Sequence, residues 1–224
     1  MEKSKIYIFW DNSNIFISAK RFANNCRVSS SYGLGTRIHF ENLYNLAKVG
    51  RDVEKIIVVG SVLHGEAELW RRFESTIGCE IKLFEKGNET GKEQAVDQAL
   101  QVEMLRALND EKVPQIAVLL TGDGAGYDEG IGFHADLERM YNSGWGVEVI
   151  SWKNTCKQNL ENWVKKAGVF IDLEEYFDSV TYEVGGRPAT KLNMKHRGQA
   201  RIANKFLKQI KYNCKMRNYR KNNW

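Results

Sequence analysis

Short runs of consecutive apolar residues alternate along this chain with stretches whose apolar positions recur every three or four residues. Ile6-Tyr7-Ile8-Phe9-Trp10 predicts a buried strand. So do Ile56–Val62, Cys79–Phe84, Ile116–Leu120, Val147–Trp152 and the short run Val169-Phe170-Ile171. Between them the spacing predicts helices over 37–49, 66–77, 92–108, 133–142 and 160–166. The runs are continuous rather than alternating, which is the pattern of strands covered on both faces. The expected fold class is therefore α/β, a three-layer Rossmann-like parallel sheet with helices on both faces. Its crossovers should be right-handed.

The pattern changes near Gly185-Gly186 and Pro188. Beyond that break Ile202, Phe206, Ile210 and Cys214 recur at four-residue spacing among lysines and arginines. This predicts a basic amphipathic helix or helix pair over about 192–216, and divides the chain into a domain at 1–184 and a basic helical extension at 185–224.

Charge sharpens the division. Of the 33 Lys and Arg residues, 12 lie between Arg187 and Lys221, where there is no acidic residue, so the preceding chain holds 21 basic against 28 acidic residues. A cationic segment of this kind suits phosphate contacts. Arg197, Arg201, Lys205 and Lys208 are the candidate grips on phosphates, with Tyr212, Tyr219 and Trp224 as stacking surfaces for single-stranded bases. The same charge would allow the segment to pair with the acidic part of a second copy, so a homo-oligomer is compatible with it. The four cysteines are scattered without metal-ligand spacing, which supports neither zinc nor a disulfide framework. No apolar run approaches the ~18 residues of a membrane span. No secretory pattern opens the sequence, so a cytoplasmic location is expected.

Three aspartates carry the candidate chemistry. Asp11 ends the first apolar run, and Asp123 follows Ile116–Leu120 through Thr121-Gly122. Asp97 sits on the helical stretch between them. Ligands of open parallel sheets bind outside the carboxyl ends of the strands. Carboxylates gathered there repel one another unless a cation lies between them. Hard oxygen donors suit Mg²⁺ or Mn²⁺. Such metals act on phosphate esters by activating water and offsetting negative charge. Asn14 could hold a carboxylate or a phosphate, and Thr121 could donate to Asp123 or to a metal-bound water. Neither a phosphate-binding P-loop nor a dinucleotide fingerprint occurs, and Asp11-Asn12-Ser13 lacks the second aspartate of the Asp-x-Asp phosphatases.

The motifs Ile8-Phe9-Trp10-Asp11-Asn12-Ser13-Asn14, Val96-Asp97, Leu120-Thr121-Gly122-Asp123 and Gly144–Ile150 occur in that order. Together they resemble the NYN domains, a branch of the PIN-like ribonuclease superfamily, over roughly residues 5–175. The resemblance implies a PIN-like sheet and a hydrolase, a metal-dependent endoribonuclease. It also implies Mg²⁺ or Mn²⁺ on Asp11, Asp97 and Asp123, and RNA as the partner. It departs at one position. The family's pattern runs S-G-D-S-D-F, whereas here, if Phe133 corresponds to that phenylalanine, the fourth aspartate is replaced by Gly132. Asp128, Glu129 and Asp136 are the candidates to supply that carboxylate. The alternative is a non-catalytic RNA-binding or assembly protein that keeps the nuclease fold.

Overall fold

The computed structural model describes residues 4–26, 35–62, 67–78, 80–85, 91–122 and 130–202. Six strands form one parallel sheet: β1 (Ile6–Asp11), β3 (Val53–Val62), β4 (Glu80–Glu85), β5 (Ile116–Leu120), β6 (Gly146–Ser151) and β7 (Val169–Asp172), in the order β4-β3-β1-β5-β6-β7. The chain moves outward from β1 through β3 to β4, then crosses to the other side of β1 and moves outward again through β5 to β7. The order therefore reverses between β1 and β5, which is where an open α/β sheet places its ligand crevice.

Side-chain alternation sorts the sheet into two faces. Ile6, Ile8 and Trp10 of β1 join Ile56, Val58, Val118, Leu120 and Ile150 on one face. That face is covered by α1 (Asn12–Cys26), α2 (Phe40–Lys48), α3 (Ala67–Ile77) and the short α7 (Phe177–Val180). Tyr7 and Phe9 join Ile57, Val59, Leu119, Val147 and Val149 on the other. There the cover is α4 (Gly91–Asp110), α5 (Phe133–Asn142) and α6 (Gln158–Ala167). Each large apolar side chain removed from water stabilises the fold by about 1.5–3 kcal/mol.

Three elements depart from the expected pattern. Helix α1 begins directly after Asp11, where the polar start Asn12-Ser13-Asn14 hides a narrow buried stripe of Ile15, Ala19 and Ala23. The helix expected over 37–49 begins only at Phe40, because β2 (Thr36–Ile38) pairs antiparallel with β8 (Thr181–Glu183). Residues 192–202 form no helix, which corrects the basic helix expected from Leu192; the rest of that stretch lies outside the described residues.

The non-helical segment is anchored in the core. Leu192 and Met194 pack against the first face, and Ala200 and Ile202 are buried in it. Arg197 is the second correction. It was expected on RNA, but its side chain is fully buried and ion-paired with Glu148 at 2.6 Å. Glu148 lies within the apolar strand β6, where a lone carboxylate would be costly. It accepts from Arg51 at 2.6 and 2.8 Å, from Arg197, and from the backbone N–H of Ala200 at 2.8 Å. Burial raises the Glu148 pKa, but the two guanidiniums outweigh it and hold the carboxyl below its ordinary value. Burial opposes the charge of Arg197, and Glu148 favours it.

Candidate active site

Asp11 is the last residue of β1 and is 1% exposed. A carboxylate so buried needs donors, and the first turn of α1 supplies them. The backbone N–H of Asn14 donates to Oδ1 at 3.1 Å, and its side-chain Nδ2 donates to Oδ2 at 2.5 Å. The D-x-x-N spacing thus places an amide one helical turn on, facing back onto the strand end. Asn14 is neutral, so it orients the carboxylate without cancelling its charge. Of the two uses open to Asn14, it holds a carboxylate.

Asp11 has the strand parity of Tyr7 and Phe9, which lie on the face covered by α4. Helix α4 packs on β1 and β3 through a stripe of Leu100, Met104 and Ala107. Asp97 continues that stripe one turn earlier and is half-buried. Sequence position thus puts Asp97 on the sheet-facing side of the helix that covers the Asp11 face.

Strand β5 leaves the sheet through Thr121 and Gly122. Thr121 is fully buried, and its N–H donates to the Ile150 carbonyl at 3.2 Å. At Gly122 the backbone comes so close to α1 that a Cβ would stand 2.0 Å from the Asn14 carbonyl oxygen and 2.5 Å from Ser18 Oγ. Only glycine fits. The Gly122 carbonyl accepts from Thr155 Oγ1 at 2.5 Å, with Ser151 Oγ at 3.3 Å. Trp152 Nε1 donates to the Ile15 carbonyl at 3.0 Å. The start of α1, the end of β5 and the turn after β6 form one hydrogen-bonded junction. Sequence reasoning did not single out Ser151, Trp152 or Thr155 for this role; a polar donor at a strand end or in the turn after it is too common a feature to signal it.

Asp123, Asp128, Glu129, Lys205 and Lys208 lie outside the described residues. Arg201 is exposed, and its backbone lies against Gly146 at the amino end of β6, away from the carboxyl-end crevice. Asp136 is buried in the first turn of α5, paired with Arg139 at 2.7 Å, and its Oδ2 has no hydrogen-bond partner among the described residues. Burial pushes its pKa up, and Arg139 only partly offsets this. Nearby His134 is buried against Trp163, and burial lowers its pKa despite Glu138. Among the described residues no three of His, Cys, Asp and Glu gather as a metal site. The donor type nonetheless fits a hard divalent cation: buried Asp11 and half-buried Asp97 are both oxygen donors, on elements that meet at one face of the sheet.

The comparisons bear on the family and the fold. A family model described as the NYN domain matches residues 5–174. The chain belongs to the NYN domain family. The match covers β1 through the turn after β7, so the Asp11–Asn14 cap and the Gly122 junction both lie within the NYN domain. The fold also resembles the crystal structure of a protein of unknown function from Vibrio parahaemolyticus, with a TM-score of 0.54 and 14% identity over 77% of this chain and 96% of that one. No curated protein matches the chain. Among the described residues no helix is long and apolar enough to cross a membrane.

Proposed function

We propose that this NYN domain is a metal-dependent endoribonuclease that hydrolyses phosphodiester bonds of single-stranded or structured RNA at the carboxyl ends of β1 and β5. The observation that carries the reading is the buried Asp11 carboxylate, held by Asn14 at the point where the sheet order reverses. Asp11, Asp97 and Asp123 would hold Mg²⁺ or Mn²⁺. When bound, such a cation lowers the pKa of its water and offsets charge on the phosphate.

The chain's own part is to hold the carboxylates. Asn14 keeps both Asp11 oxygens directed, and α4 brings Asp97 to the same face. Asp123 follows Gly122 in sequence and would be the third ligand, and Asp128 or Asp136 would replace the carboxylate missing at Gly132. The basic residues from Arg201 onward, Lys205 and Lys208 among them, supply phosphate contacts. No covalent nucleophile is required, because water attacks the phosphorus.

Incubation with labelled RNA, with and without Mn²⁺, tests the proposal. Cleavage by the parent should require the metal and be lost in Asp11→Asn and Asp123→Asn. Equal cleavage by parent and variants would exclude these carboxylates as the ligands. RNA binding by an inert parent would favour a non-catalytic RNA-binding protein.

A further inference from the structure

We propose that Thr155 is a positioning residue for the metal site, a role that rests on the function proposed above. Just past β5 the Thr121 N–H donates to the Ile150 carbonyl of β6. Beyond it the Gly122 carbonyl is served by side chains of the end of β6 and the turn after it. Thr155 Oγ1 lies 2.5 Å from it and 3.3 Å from the Trp152 carbonyl. A hydroxyl has one proton to give. The shorter contact, at the close end of the normal O–H···O range, is the one made. Ser151, at 3.3 Å, is a weaker second donor.

What this bond fixes follows from the peptide. The Gly122 carbonyl belongs to a planar peptide unit, so a hydroxyl on that oxygen fixes the orientation of the peptide at the end of β5. Gly122 is also pressed on the Asn14 carbonyl. Asn14 is the residue that orients Asp11. Thr155 therefore closes a chain of direct contacts: hydroxyl to Gly122, Gly122 to Asn14, Asn14 to Asp11. Loss of the hydroxyl would let the end of β5 move against Asn14 and loosen the cap that orients Asp11, a proposed ligand, without touching it. Outer partners of metal ligands change affinity by about 10–100-fold when removed.

The test uses the full chain with Mn²⁺ alone, its binding measured by calorimetry and by electron paramagnetic resonance, beside thermal melts without metal and RNA cleavage. Thr155→Val keeps the shape and removes the donor; it should weaken Mn²⁺ binding about tenfold or more and reduce cleavage. Thr155→Ser keeps the donor and should restore both. Ser151→Ala should show a smaller loss in the same direction, and stands in if the valine variant does not fold. A valine or Ser151→Ala variant that melts lower but binds Mn²⁺ like the parent overturns the positioning role and leaves the metal site intact. A parent that binds no Mn²⁺ overturns the metal-site reading and this role with it.

Discussion

The Arg197 guanidinium and the Glu148 carboxylate meet at 2.6 Å with both side chains fully out of solvent. Arg197 also donates from Nε to the Leu46 carbonyl at 3.0 Å, tying the segment after β8 to α2. A residue that belongs by sequence to a solvated charge run is thus a counter-ion of the core. Arg197→Ala would leave Glu148 buried with one of its two cations. The expected loss is about 3–5 kcal/mol, the usual cost of removing one partner of a buried pair. Urea denaturation checks it, and a loss below about 1 kcal/mol would show that Arg51 alone satisfies Glu148.

The same contact sets where the basic segment can be cut. Removal of residues after Gly186 deletes Arg197, Ala200 and Ile202 together, so the product should be poorly folded. A cut after Ile202 should leave the fold and remove the seven Lys and Arg residues between Lys205 and Lys221. RNA affinity should then fall, and its dependence on salt should become shallower, because fewer counterions are released on binding. Filter binding at several salt concentrations reads both. Equal affinity and slope for the cut and full chains would show that these residues are not the grip.

How far the sequence disclosed this structure depends on the range of the interactions involved. The sheet strands were legible because a strand covered on both faces is a continuous apolar run, visible locally. Asp11 and the D-x-x-N spacing were legible because the amide and the carboxylate it holds are one helical turn apart. The pairing of β2 with β8 was not, since three-residue strands separated by most of the chain are specified only by the completed core. Arg197 was misread because the charges around it give no sign of burial. The available signal lay elsewhere: Glu148 inside Val147-Glu148-Val149-Ile150 demands a buried cation, but does not say which.

Two buried carboxylates should respond to acid with opposite sign. The Glu148 pKa is held below its ordinary value of 4.5, so its contribution to stability is present above that pH and is lost as pH falls through the folded value. The Asp136 pKa is raised above 3.8 by burial. The folded state therefore takes up that proton first, and ionised Asp136 lowers stability at neutral pH. Glu148→Gln should be less stable than the parent at pH 7, with the gap narrowing below about pH 4.5. Asp136→Asn should be as stable as the parent or more so at pH 7, and should lose that advantage in acid. Melting curves from pH 7 to 3 decide, and a Glu148→Gln gap that widens in acid would contradict the assignment.

Gly122 gives the most direct test of the junction beneath the proposed site. An added Cβ would stand 2.0 Å from the Asn14 oxygen and 2.4 Å from its carbonyl carbon. Both are backbone atoms, so no rotamer change relieves the clash and either β5 or the first turn of α1 must move. Gly122→Ala should cost at least about 3 kcal/mol, the upper part of the range for overpacked sites. Because the displaced turn carries Asn14, any folded variant should also bind Mn²⁺ more weakly. Gly60, on the neighbouring β3, is the control. There the nearest atoms to an added Cβ would be Asn12 Cβ at 3.5 Å, Ser13 Oγ at 3.7 Å and Asn12 Nδ2 at 3.9 Å, ordinary contact distances. Gly60→Ala should stay within about 1 kcal/mol of the parent. Urea unfolding of both variants, compared at matched slope, separates the two cases. Equal small losses would mean that α1 can shift away from β5 at little cost, and the close approach would then not fix the spacing between Asp11 and the end of β5.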